Sequence, residues 1–213
     1  EVIPAQVPGN VELDLERAGT FTDVFRGMNI LQAQELEYSH IWMWRKFDHS
    51  PEENDPGSTV FLEFGGIDTY GEVFLNGEHI GSADNMLIEH RFDVTGVLEG
   101  TNEVFVHIIP SAVQAEEFDY PPGLVANNPN YQSLYVRKAP HMYGWDIMCR
   151  ALSGGLWKPV KLVGESDQGF RSCFMETVSI NDERSRAELV FHYNAEFPEK
   201  SAEWEVAVTG KST

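Results

Sequence analysis

"EVFLNGEHI", residues 72–80, decides the fold class. Asn76-Gly77 stands between two apolar stretches, and a two-residue type I′ hairpin needs positive φ at both turn positions, which Asn and Gly tolerate best. The reading is two antiparallel strands joined at 76–77. Working outward, the same two-residue alternation recurs at short spacing. It runs through "IWMWRKF" (41–47), "STVFLEFGG" (58–66), "MLIEHRFDV" (86–94) and "NEVFVHII" (102–109). In the second of these, Val60, Leu62 and Phe64 share one face. Many short strands divided by turn signals make an all-β sandwich.

The flanks of this core read differently. Residues 1–40 are irregular, apart from a short helix starting at Asn10, a good N-cap, and stopping at Gly19. From 111 to 136 the strand period lapses, and Pro121, Pro122, Gly123, Asn127, Asn128 and Pro129 mark a long loop of the kind that carries function or disorder. It returns at "GLWKPVKLV" (155–163), where Pro159 predicts an edge strand or a bulge. Past Gly164 the pattern restarts with three predicted strands: "CFMETVSI" (173–180), "RAELVFHYNAEF" (186–197) and "AEWEVAVTG" (202–210). Three strands cannot close a sandwich, so residues 1–166 are expected to form one domain and 167–213 the opening part of a second.

Composition excludes several functions. The chain has 213 residues and a formal net charge of −19, a field that repels nucleic acid and anionic membrane surfaces. Neutral ligands stay open. No apolar run reaches the ~20 residues of a membrane span. Cys149 and Cys173 are too few for a disulfide scaffold, and two free thiols are expected. The seven histidines fall at no metal-ligand spacing, so no metal and no cofactor is expected. Asn102-Glu103, a pair that many glycosidases use for acid/base work, reads here as turn followed by strand start. No pair of carboxylates is nominated for catalysis; a retaining glycosidase needs two about 5 Å apart.

One stretch does carry chemistry. In "HMYGWDIMCRALSGGLWKPV" (141–160), Trp145 and Asp146 sit side by side after the long loop. An exposed indole offers a flat apolar face to the C–H face of a sugar, and an adjacent carboxylate accepts from neighbouring hydroxyls. The alternative is that Trp145 is core and Asp146 caps a turn. Spacing alone does not separate the two.

The segment from about Pro8 to Val163 resembles the N-terminal sandwich of glycoside hydrolase family 2, most closely its β-mannosidase-like branch. The resemblance is carried by "VPGNVELDLERAG", "WRKF", "LEFGGIDTYGEVFLNGEHIGSADNMLIEHRFDVTGVLEGTNEVFVHI", "VRKAPHMYGWD" and "SGGLWKPVKLV", in that order. It implies a jelly-roll, galactose-binding-like β-sandwich followed by the first strands of an immunoglobulin-like sandwich. It also implies that the catalytic barrel with its two glutamates lies outside this chain, which on this reading is the non-catalytic N-terminal part of a retaining exo-glycosidase. In such enzymes the Gly-Trp-Asp loop reaches into the barrel's pocket. The resemblance therefore places substrate binding on Trp145 and Asp146, with a terminal β-linked sugar and the chain's own barrel as partners. This chain departs from the family at Ile147, Met148 and Cys149, where a second Trp is common, and mannose preference is less firmly implied. The alternatives are a β-galactosidase or β-glucuronidase relative, a free-standing carbohydrate-binding module, or a structural spacer. Export to a bacterial periplasm or the medium is the implied setting, with the lysosome second; the lack of an Asn-x-Ser/Thr site favours the former.

Overall fold

The computed structural model describes residues 2–50, 58–124, 130–166, 168–197 and 205–209. The chain divides into two compact units, one formed by Glu1–Asn54 and Thr59–Gly164, the other chiefly by Glu165–Thr213.

The first unit is a two-layer β-sandwich. Its larger sheet is antiparallel, in the order β1 (Ile41–Asp48), β7 (Thr101–Ile109), β4 (Tyr70–Leu75), β5 (Glu78–Ala83). The facing sheet runs β6 (His90–Asp93), β2 (Thr59–Phe64), β9 (Val160–Glu165), beside a short pair of β3 (Ile67–Asp68) and β8 (Gly155–Leu156). Alternation drives this closure. Val60, Leu62 and Phe64 of β2 are buried, and they meet Val73 and Leu75 of β4 and Val106 and Ile108 of β7 in one core. β9 lies at a sheet edge directly after Pro159, where the missing N–H interrupts no ladder.

The hairpin at 76–77 forms as its sequence requires. Leu75 pairs with Glu78, and Asn76 and Gly77 take φ of 51° and 85°. Asn76 also reaches beyond its turn: its amide donates to the Val97 carbonyl and to Asn102 Oδ1, and its Oδ1 accepts from the Glu103 N–H.

Helix α1 (Val11–Arg17) starts where predicted. Asn10 Oδ1 accepts from the Leu13 N–H at 3.1 Å, and Gly19 follows with φ of 78°. Two expectations need correction. Residues 20–40 are not wholly irregular, since α2 (Leu31–Gln34) forms there. The 111–136 stretch is also not structureless: it opens with α3 (Ser111–Ala115), turns at Pro121–Leu124 and makes a 3-10 turn at Asn130–Ser133. Ala112 and Ala115 are small enough to bury one face of α3, a contact that a Pro/Gly count does not register. Of the loop markers, Asn127, Asn128 and Pro129 lie outside the described residues.

In the second unit, β10 (Gly169–Ile180) and β11 (Ala187–Glu196) form an antiparallel ribbon. Its turn is held by Asn181 Oδ1, which accepts from the N–H groups of Ser185 and Arg186. The third predicted strand is not present at 205–209, which carry no regular structure; the rest of 202–210 lies outside the described residues.

Candidate functional site

Trp145 and Asp146 occupy the tip of a tight turn. Trp145 N–H donates to the Met148 carbonyl at 2.9 Å, and Met148 N–H donates back to the Trp145 carbonyl at 3.1 Å. The turn projects from the first unit. Trp145 is 74% exposed and Ile147 83%, so the indole is not part of the core. The Asp146 carboxylate is exposed and meets no partner among the described residues. Ile147 and Met148 extend the apolar tip.

The neck of this turn is built in the opposite manner. Tyr143 is fully buried, and burial, with Tyr70 nearby, pushes its hydroxyl pKa up. Gly144 has φ of 91° and lies against Arg150; a Cβ there would stand 3.1 Å from Arg150 Cβ and 3.2 Å from its backbone nitrogen. Only glycine fits both the dihedral and the space. Arg150 Nε donates to both carboxylate oxygens of Glu37 at 2.9 Å, and its Nη2 donates to Gln132 Oε1 at 2.9 Å. The Arg150 carbonyl accepts from Gln34 Nε2 at 3.1 Å, and Ala151 N–H donates to Met142 O at 2.9 Å.

Beneath the neck lies a buried polar network. Lys138, only 2% exposed, donates Nζ to Asp68 Oδ1 and to the Ser153 carbonyl; Ser153 Oγ donates to Glu12 Oε2 at 2.7 Å. The network joins α1, β3 and the segment that follows the turn. The cavity beside it, lined by Glu12, Glu37, Asp68, Ser111 and Ser153 among others, holds about 20 Å³. That is room for one water and far below what a sugar ring needs. The exposed turn therefore presents a flat apolar face beside a carboxylate that has no partner among the described residues.

Sequence reasoning did not find Arg150, Glu37 or Lys138. It also passed over the outer face of the larger sheet. There Trp42 lies flat on His107 (centroids 4.2 Å apart, planes at 5°) and Trp44 Nε1 donates to Glu103 Oε1 at 2.8 Å. The alternation in "IWMWRKF" was the available signal, since it puts both indoles opposite Ile41 and Met43. Glu103 is thereby held as a surface partner of Trp44 and Lys46, consistent with its reading as a strand residue. Among the described residues no group of three or more His, Cys, Asp or Glu is placed to hold a metal ion, and both cysteines are exposed and free.

Comparison with known proteins gives this geometry its family. Residues 1–158 match the model of the glycosyl hydrolase 2 galactose-binding domain-like family. The chain is 34% identical over 161 residues to beta-mannosidase B of Emericella nidulans, covering 73% of this chain and 19% of that protein. It is 35% identical over 169 residues to beta-mannosidase B of Thermothelomyces thermophilus, covering 74% and 19%. It thus spans 19% of the length of either relative. The crystal structure of a beta-D-mannosidase from Dictyoglomus thermophilum superposes with a TM-score of 0.80 at 34% identity, over 92% of this chain and 24% of that one. The exo-chitosanase CsxA of Amycolatopsis orientalis shares the fold alone, with a TM-score of 0.62 at 17% identity over 91% of this chain and 20% of that one. An all-β sandwich with these motifs in this order, matched over most of its length, belongs to the galactose-binding-like domain family of glycoside hydrolase family 2.

Proposed function

We propose that this chain is the non-catalytic N-terminal part of a retaining, exo-acting β-mannosidase-like enzyme, and that Trp145 and Asp146 form one wall of its sugar pocket. The observation that carries the reading is the contrast at the turn: a fixed neck below, and above it an exposed indole beside a carboxylate without a partner among the described residues. Together the two offer a flat apolar face and a hydrogen-bond acceptor side by side, the pair that suits a sugar. The similarity to β-mannosidases supports mannose over galactose or glucuronic acid as the terminal sugar.

The proposal extends to the domains. Residues 1–166 are the galactose-binding-like domain, and 167–213 begin an immunoglobulin-like one. In support, the β10–β11 ribbon leaves Phe170, Phe174, Met175 and Tyr193 exposed, and a two-stranded ribbon needs further strands or a packing partner for stability. Export belongs to the same proposal and rests on the family resemblance.

The test is kinetic and uses the intact native polypeptide that carries this segment. Removing a hydroxyl acceptor from a water-excluded pocket leaves the sugar group unpaired, at about 1–3 kcal/mol per contact. Asp146→Ala should therefore lower kcat/KM roughly 5- to 150-fold, and Asp146→Asn less, because the amide keeps one acceptor oxygen. Trp145→Ala should lower it as well, with the thermal midpoint nearly unchanged for all three because the turn is exposed. Wild-type kcat/KM in both alanine variants would make the turn merely structural.

A further inference from the structure

The proposed sugar contacts raise the question of what sets their aim, because nothing at the tip does. Two backbone bonds close the turn from Trp145 to Met148, and among the described residues no side-chain hydrogen bond reaches it. Orientation must be fixed at the neck. Of the residues there, Arg150 is bound through both its main chain and its side chain. Gln34 holds its carbonyl, Glu37 takes its Nε and Nη2 in a two-oxygen grip at 2.8–2.9 Å, and Gln132 receives Nη2. These partners lie 116, 113 and 18 positions away in sequence, so the grip ties the exit of the turn to two separate segments of the sandwich. On its other side Arg150 packs against Gly144, the residue that enters the turn, and its guanidinium lies 5.5 Å from the Tyr143 ring. Entry and exit thus meet at Arg150, beside the backbone bond from the Ala151 N–H to the Met142 carbonyl.

Resting on the reading just given, we propose that Arg150, gripped by Glu37, is the positioning residue of the Trp145–Asp146 wall. A planar guanidinium accepted by two carboxylate oxygens fixes direction as well as distance, which an ammonium at the same site does not. Its role is indirect, since it acts on sugar only through the turn that it orients. A misplacement of about 1 Å at such a wall costs on the order of 100-fold in rate. Partial loosening should fall below that.

The experiment is a double-mutant cycle in the intact native polypeptide, read with hydrogen exchange on the 213-residue chain. Arg150→Lys should lower kcat/KM about 10-fold in the wild-type background and much less in the Trp145→Ala/Asp146→Ala background, because the residue acts through those two contacts. In the chain, Arg150→Lys should speed exchange at the Trp145 and Met148 amides while β4 and β7 keep their protection. Equal losses in the two backgrounds, or unchanged exchange at Trp145 and Met148, would overturn the inference and leave the sugar-wall reading intact. Silent Asp146→Ala and silent Trp145→Ala together remove that reading and this inference with it. If Arg150→Lys does not fold, Glu37→Gln replaces it, since the amide keeps one acceptor for the guanidinium and removes the second.

Discussion

Glu12 shows how far one residue departs from what its letter suggests. An acidic residue in the first turn of a helix reads as a solvated charge that favours the helix dipole. In the fold it is buried, with Oε2 accepting from Ser153 and Oε1 without a partner among the described residues. Burial pushes its pKa above the ordinary 4.5, against the opposing pull of the Ser153 hydrogen bond and of Lys138. A carboxyl whose folded pKa is raised contributes stability below the unfolded value and loses it as pH rises through the folded one. Urea unfolding of wild type and Glu12→Gln should therefore show the variant gaining on wild type between pH 4 and pH 7. A difference that is flat, or that shrinks, over that interval contradicts the assignment. Lys138 misleads in the same way. Lysines are almost never buried unless paired, and its pairing with Asp68 and the Ser153 carbonyl depends on segments far away in sequence. Trp145 and Asp146 stand out in the sequence because an indole beside a carboxylate is a local pattern, and the structure adds that both are exposed. Arg150 stands four residues past Asp146 and passed unnoticed, because its partner Glu37 lies 113 positions earlier.

Among the elements, the 76–77 hairpin was fully legible because both of its requirements, positive φ and flanking alternation, are written in adjacent letters. What adjacent letters do not carry is the second task of Asn76, bonding to Val97, Asn102 and Glu103. This distinction can be measured. Asn76→Gly keeps the turn's dihedral freedom, so a residue used only for its φ would change little. Because the substitution strips an acceptor from the Glu103 N–H and a donor from the buried Asn102 amide oxygen, it should cost ~1–3 kcal/mol in urea unfolding. A cost within a few tenths would mean that the side-chain bonds contribute nothing. Elements that rest on small-residue packing were not legible: α3 hides inside a Pro- and Gly-marked loop because Ala112 and Ala115 carry no helical stripe. At 205–209, the described part of the predicted strand at 202–210, alternation alone does not produce a strand.

At the scale of the whole molecule, the sandwich core followed from alternation, whereas the functional role did not. A net charge of −19 leaves neutral ligands open without selecting one. The paired carboxylates of a retaining glycosidase were not nominated by the sequence, and the 20 Å³ cavity cannot hold a sugar ring. What joined these observations was the family, matched over residues 1–158, and the 19% of each relative's length that the chain spans. On the proposed function, the chain contributes a wall of the pocket and no catalytic carboxylate. This is tested most directly by assaying the purified 213-residue chain and the intact native polypeptide side by side on aryl β-mannosides, β-galactosides and β-glucuronides. No turnover is expected from the chain at any practical concentration, and turnover with β-mannosides preferred is expected from the intact polypeptide. Hydrolysis by the chain that survives repurification, and is abolished by replacing one of its own carboxylates, would contradict it.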